Sequence, residues 1–188
     1  MLLLYLNMKT FITSFSIFLF LIILNLHLAF VIETKKHADL NAYFFAHKEL
    51  SDDYTKEEKI HLSDIKNIIS KTVWVEIFLG LLILSGFLIL KTKKYILRAF
   101  RLSGFLLILW CLLLLTGYFI NFEKIFDLFH ELLFKNNYWI LPGSTKLIQD
   151  FPYAFFQKQA IILWCCFLLE GILLCIACKD SLFCNRSR

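Results

Sequence analysis

Two histidines stand in polar stretches separated by a long apolar run: His61 in EKIHLSDIK and His130 in FDLFHELLFKNNYW. Imidazole titrates near neutrality, so two rings facing one site suit removing a proton from a nucleophile and returning it to a leaving group. Carboxylates accompany both, Asp64 three residues after His61 and Asp127 three before His130. The same four side chains are of types that bind zinc, although an H-x-x-D spacing alone specifies no metal. Two unrelated histidines at a lipid interface are the competing reading. No G-x-S-x-G, P-loop, H-E-x-x-H or zinc-knuckle pattern occurs, so serine hydrolysis, nucleotide use and ordinary metalloprotease chemistry lack support.

Whether the two imidazoles share a site depends on the elements that carry them. At 59% hydrophobic residues over 188 positions, the chain exceeds the roughly 45–50% apolar share of soluble domains. Four apolar runs, 11–32, 73–90, 102–120 and 160–178, reach the roughly 17–25 residues that cross hydrocarbon. The expected fold is all-α: a polytopic membrane protein of four transmembrane helices with two extracellular helical and loop segments, 33–72 and 121–159, forming one membrane domain over 1–188. The first run is longer than a signal peptide's apolar core and lacks a small-x-small cleavage site, so it is expected to be retained. Met8-Lys9 reads as a more natural start than Met1, which makes residues 1–7 a candidate artefact of start assignment.

Lys91, Lys93, Lys94, Arg98 and Arg101 crowd loop 91–101 without an acid, and the positive-inside rule assigns such a loop to the cytoplasm. Both termini are then cytoplasmic, with Lys179, Arg186 and Arg188 in agreement, and both histidine segments are extracellular. The net charge of +5 reflects orientation beside an anionic leaflet and implies membrane lipids, not nucleic acid, as partners. Cys111, Cys165, Cys166, Cys175, Cys178 and Cys184 fall in spans or the inner tail, where disulfides rarely persist. Cys175-x-x-Cys178 with Cys184 lacks the βαβ context of a redox motif and reads as reduced thiols.

Within the first outer segment, Ser51-Asp52-Asp53 separates two helical stretches, and Thr55-x-x-Glu58 is a capping box opening a helix that runs into the second span. On that helix His61, Ile65 and Ile68 share a face with Asp64 alongside. In the second outer segment, Phe122, Ile125, Phe126, Phe129, Leu132 and Leu133 form the apolar stripe of an interfacial helix carrying His130. Asn136-Asn137-Tyr138-Trp139 ends it, and Pro142-Gly143-Ser144-Thr145 turns the chain through the special φ preferences of Pro and Gly. Tyr138, Trp139 and Tyr153 suit the aromatic belt at headgroup depth. His37 and His47, among Lys35, Lys36, Lys48 and Glu49, read as solvated. His27 and Glu170 lie inside spans and should face the bundle, where a partner satisfies them. For Glu170 a structural hydrogen bond is the simpler expectation. The competing classes are an ion- or proton-translocating subunit using Glu170 and a non-enzymatic membrane component.

The string His61-Leu62-Ser63-Asp64-Ile65-Lys66, followed by Phe129-His130-Glu131-Leu132-Leu133-Phe134-Lys135-Asn136-Asn137-Tyr138-Trp139, resembles the bacterial lipoprotein intramolecular transacylase family. The likeness extends through Leu147-Ile148-Gln149-Asp150-Phe151-Pro152 to Phe155-Phe156 and covers nearly the whole chain. The resemblance implies an acyltransferase that moves the sn-2 acyl chain of a diacylglyceryl-modified amino-terminal cysteine onto that cysteine's own α-amino group, giving a lyso-form lipoprotein. Diacylglyceryl-modified lipoproteins are then the partners, the active site faces the extracellular leaflet of the cell membrane, and no cofactor or metal is called for. By the same resemblance His61 and His130 are the catalytic residues, with Asp64, Lys66, Asn137 and Trp139 supporting or binding substrate. Lys146 departs from the family pattern, which has an acid there.

The implied chemistry is coherent. An α-amino group titrating near pH 7.7–8.0 must be neutral to attack an ester, and a nearby imidazole can take its surplus proton. One histidine, with slight preference for His130, acts as base. The other, or a loop amide near Asn137, stabilises the oxyanion. Donor and acceptor share one covalent scaffold, so no acyl-enzyme is needed.

Overall fold

The computed structural model describes residues 1–177; Cys178, Lys179, Cys184, Arg186 and Arg188 lie outside the described residues. Six helices follow in order: α1 (Leu2–Thr34), α2 (Ala38–Phe45), α3 (Lys56–Leu90), α4 (Lys93–Leu133), α5 (Lys146–Asp150) and α6 (Tyr153–Ala177). Among the described residues, four of them, α1, α3, α4 and α6, are long and apolar enough to cross a membrane. The protein is therefore all-helical and multi-pass, as the apolar runs predict. Large side chains such as Trp74, Phe78, Leu109 and Leu113 lie exposed along these helices, which suits a surface solvated by hydrocarbon. The helices outrun the apolar stretches. α1 already begins at Leu2, and α3 carries His61 without a break into the second span.

The start of α3 is capped as its sequence predicts. Thr55 N–H donates to Glu58 Oε2 at 2.7 Å and Glu58 N–H to Thr55 Oγ1 at 3.3 Å, so two amide donors orphaned at a helix start are satisfied reciprocally. α4 bends at Asn121, whose backbone is extended (φ −169°, ψ 96°). Its side-chain oxygen accepts the Lys124 amide at 3.0 Å, capping a new helical segment that carries His130. Pro142 and Thr145 close the expected turn, with Thr145 N–H donating to Pro142 O at 3.0 Å. Gly143 makes this turn without a positive φ, so the freedom peculiar to glycine is not what shapes it.

The chain forms two compact units. The first comprises Met1–Asn25, Trp74–Leu115 and the described part of Trp164–Arg188. Its helices touch through small residues, the packing that membrane helices favour when burial gives no hydrophobic gain. A Cβ on Gly104 would sit 2.7 Å from the Gly171 carbonyl oxygen, and one on Gly171 3.0 Å from the Gly104 oxygen. Ser103 Oγ donates to Ser14 O at 3.0 Å, and Trp164 Nε1 donates to Cys111 O at 3.1 Å. Glu170 finds the structural partner its position demands: Asn25 Nδ2 donates to its two oxygens at 3.0 and 3.1 Å.

The second unit, Leu26–Val73 and Thr116–Leu163, holds both histidine segments. Its core is Leu40, Tyr54, Leu62 and Leu147, with Tyr43, Phe44, Ile65 and Phe151 packed around them. Glu58, fully buried, uses its second oxygen to accept the Leu147 amide at 2.6 Å, so one carboxylate caps α3 and anchors α5. Within this unit His27 Nε2 lies 2.8 Å from Thr72 Oγ1, giving the span histidine a polar partner. His47 is exposed and has a positive φ of 53°. His37 is not simply solvated: its ring lies 4.7 Å from that of Phe151, and Nδ1 is 3.8 Å from Asp150 Oδ2.

A candidate active site of two imidazoles

His61 and His130, far apart in sequence, come together with ring centroids 6.2 Å apart. His61 belongs to the inward stripe of α3 with Glu58 and Leu62, and is 6% exposed. His130 occupies the last turn of α4 and is 8% exposed. A small group lodged beside the rings can therefore touch both.

Aromatic side chains make the walls. Phe134 lies 4.9 Å from the His61 ring and 5.7 Å from that of His130. Trp139 stacks on His130 at 4.8 Å with 25° between the planes, and Phe126 approaches it at 4.2 Å. Such walls exclude water and strengthen whatever electrostatics act between them.

The two rings differ in hydrogen bonding. His130 Nδ1 is 2.7 Å from Phe126 O. A carbonyl only accepts, so Nδ1 carries hydrogen and the neutral ring presents its lone pair at Nε2. His61 Nδ1 is buried without a partner among the described residues. Unpartnered buried polar atoms are uncommon, and a catalytic role is one of the reasons such an atom is kept.

Burial is the main influence on the basicity of both. It pushes His61 down to about 4, with His130 nearby adding to the fall and Asp64 opposing it. It also lowers His130, against the pull of the Phe126 carbonyl and of Asp127. His130 further sits at a helix C-terminus, where the backbone dipole favours positive charge. Both rings are thus neutral at pH 7, with His130 the better placed to carry a proton transiently.

The supporting residues are distributed unevenly. Asp64 Oδ2 accepts from Asn136 Nδ2 at 2.8 Å, and the Asn136 side-chain oxygen in turn accepts the Tyr138 amide at 3.1 Å. That chain of contacts links α3 to the turn that presents Trp139. Lys66 leans away from the imidazoles: Nζ donates to Tyr43 O at 2.7 Å and lies 4.2 Å from the centre of the Tyr43 ring, fastening the end of α2 to α3. Asn137 is exposed, and its carbonyl accepts the Ile140 amide at 3.1 Å. The asparagine that binds toward the site is its neighbour, Asn136. Among the described residues no three His, Cys, Asp or Glu side chains converge as metal ligands, so His61, His130, Asp64 and Asp127 do not assemble the zinc set their types allowed.

Lys146, where the resemblance leads to the expectation of an acid, is held by local contacts. Its ammonium lies 2.7 Å from Asp150 and 3.6 Å from Asp39, over the Tyr54 ring at 5.1 Å. These contacts bind α5 to α2 and raise the lysine's pKa, with the Asp150 hydrogen bond the largest cause.

The sequence pattern described as lipoprotein intramolecular transacylase Lit matches residues 47–156, the stretch that contains both histidines. The structure of the membrane integral lipoprotein intramolecular transacylase Lit from Bacillus cereus superposes with a TM-score of 0.74 at 22% identity, covering 98% of this chain and 99% of that one. Two variants of that protein, with a histidine replaced by arginine or by alanine, superpose at 0.68 and 0.66, each 23% identical, over 97% and 98% of this chain and 94% and 96% of theirs. A protein of Aquifex aeolicus described as uncharacterized is 26% identical over 120 residues, 64% of this chain and 54% of its own length. The chain spans about half the length of that curated relative.

Proposed function

This chain belongs to the lipoprotein intramolecular transacylase family, and we propose that it moves the sn-2 acyl chain of a diacylglyceryl-modified amino-terminal cysteine to that cysteine's α-amino group. The observation that supports this most directly is the pair of neutral, buried imidazoles 6.2 Å apart in a sleeve of aromatic rings. An ester, an amine and an apolar chain are what such a sleeve fits.

In the proposed reaction His130 is the base. The neutral amine attacks the ester carbonyl carbon, and His130 Nε2 takes the proton that the nitrogen sheds as the C–N bond forms. The Phe126 carbonyl at Nδ1 and the α4 C-terminus favour the resulting imidazolium. The carbonyl oxygen becomes an oxyanion, and His61, held neutral by burial, donates to it as an electrophile. Collapse breaks the bond to the glyceryl oxygen, which receives the proton from His130. An amide and a free hydroxyl remain, and atoms and charge balance without a cofactor. Asp64 and Trp139 act as substrate-binding or positioning residues, Lys66 and Asn137 as supports of the surrounding segments. Segments 33–72 and 121–159 face the outside, both termini the cytoplasm, and the reaction occurs at the outer leaflet. The acid-free basic stretch 91–101, read from the sequence as a loop but helical from Lys93 onward as the start of α4, supports that orientation.

The test is production of lyso-form lipoprotein in a host lacking amino-terminal acylation, read by mass spectrometry of lipoprotein N-termini. His130→Ala and His61→Ala should each lower the product by about 10²–10⁴-fold at equal expression. Unchanged product in both variants would refute the assignment.

A further inference from the structure

We propose that the Asp64 carboxylate is the docking site for the α-ammonium of the lipoprotein's amino-terminal cysteine, and that the following polypeptide leaves along the groove between Asp64 and Tyr54. This rests on the transacylase reading above. The groove measures 430 Å³ and is lined by Tyr54, Lys56, Lys59, Ile60, Ser63 and Asp64. Five of these residues share one face of α3. Asp64 stands at the margin of that face, and His61, three residues earlier, is next around the helix by about 60°. The carboxylate therefore sits between the open groove and the buried imidazole.

Its bonding leaves it suited to a cation. Asn136 Nδ2 occupies Oδ2 at 2.8 Å, while a carboxylate offers about four lone-pair positions over two oxygens. Asp64 does not orient His61, whose Nδ1 has no partner among the described residues. Asp64 is thus not the third member of a His–Asp relay.

The polarity of the groove sets the direction of the chain. Its acid lies at the Asp64 end, while Lys56 and Lys59 lie at the other, Lys59 3.3 Å from Asp52. Asp52 offsets the Lys59 charge at that end, whereas Asp64 has no cationic partner among the described residues, so an ammonium is drawn to Asp64 and an amino terminus binds there. The docked group also explains turnover. Near pH 7 an α-amino group is largely ammonium, with a pKa of about 7.7–8.0, whereas the acylated product is a neutral amide. Docking as ammonium and reacting as amine releases one proton to water, and the product no longer has a charge for Asp64 to hold.

The test uses the full chain in lipid nanodiscs and two synthetic diacylglyceryl lipopeptides, one with a free amino terminus and a des-amino analogue with hydrogen in its place. At neutral pH the protein should bind the amine at least ~10-fold more tightly, the scale of a charge-assisted hydrogen bond. Asp64→Asn, which keeps an acceptor for Asn136, should remove that preference and raise KM for the free-amine lipopeptide. In the unaltered protein the preference should vanish above about pH 9, where the amine is neutral, so the test survives a variant that fails to fold. Equal binding of the two lipopeptides at neutral pH, a preference that persists in Asp64→Asn, or one that persists at high pH would overturn the proposal. Absence of acyl transfer by the unaltered protein would instead overturn the transacylase reading, because the binding comparison needs no turnover.

Discussion

In the unit built from Met1–Asn25, Trp74–Leu115 and the described part of Trp164–Arg188, Glu170, Ser103 and Trp164 join helix to helix through hydrogen bonds, whereas in the unit of Leu26–Val73 and Thr116–Leu163 the buried His61 Nδ1 has no hydrogen-bond partner among the described residues. In the first, Glu170 is held by Asn25, Ser103 by Ser14, and Trp164 by the Cys111 carbonyl. In the second, His61 keeps an atom available among aromatic rings. A polar group buried without a partner costs about 1–3 kcal/mol, and such costs persist at functional sites. The contrast sets residues that hold the helices together against the imidazole that the proposed reaction would use.

Paired substitutions test that separation, and their effects should be the largest. Gly104→Val places a Cβ 2.7 Å from the Gly171 carbonyl, against backbone that cannot move aside. It should cost about 3 kcal/mol or more, as strong overpacking does, and the protein should lose its cooperative thermal transition in detergent or accumulate poorly. His61→Leu removes the unpartnered nitrogen at similar volume. Its melting temperature should equal or exceed that of the unaltered chain while lyso-form product disappears. A His61→Leu variant that melts as early as Gly104→Val would show that the imidazole holds the fold together, and the comparison would fail.

The comparison also explains what was legible in the sequence. Spans, the Thr55–Glu58 capping box and the interfacial helix rest on local periodicity and end chemistry, which a single segment carries by itself. The histidine pair was legible through motif resemblance. Partners across long separations were not. That Asn136, rather than Asn137, binds Asp64 depends on which side of a turn faces α3. Phe134 carries no polar signal, although it lies against both rings. Glu58 was recognised as a cap, but its second oxygen reaches α5 through tertiary packing alone. His37 looked solvated because its neighbours in sequence are charged, while its neighbours in space are Phe151 and Asp150.

A smaller effect is expected from pH. The folded-state pKa of His61 is lowered to about 4, below its ordinary value of about 6.5. Between these values the unfolded chain binds more protons than the folded one, so stability rises with pH across that window and is lost as the pH falls through it. The melting temperature should therefore drop between about pH 7 and pH 5. His61→Leu should show a shallower drop, since carboxylates shared by both chains cancel in the difference. Catalysis should show no break near pH 6.5. Because both rings are already neutral there, kcat/KM should climb through that region and level off only near the free amine's pKa of about 8. A plateau beginning at about pH 6.5 would mean that an ordinary, solvated imidazole limits the reaction.

The smallest effect should come from Glu170→Gln, and it bears on the alternative of ion or proton translocation. Glutamine keeps one oxygen to accept from Asn25 Nδ2, which now donates to both carboxylate oxygens at 3.0 and 3.1 Å. It removes only the capacity to ionise. Hydrogen bonds between membrane helices contribute about 0.6 kcal/mol on average, so losing part of one should leave stability nearly unchanged and lyso-form production within about twofold. A translocating subunit would fail outright, because its carrier group would no longer exchange a proton. Mass spectrometry of lipoprotein N-termini from a strain expressing Glu170→Gln decides between them: abundant product leaves Glu170 as a structural contact, and complete loss would move the functional centre from the imidazoles to the unit that packs through its glycines.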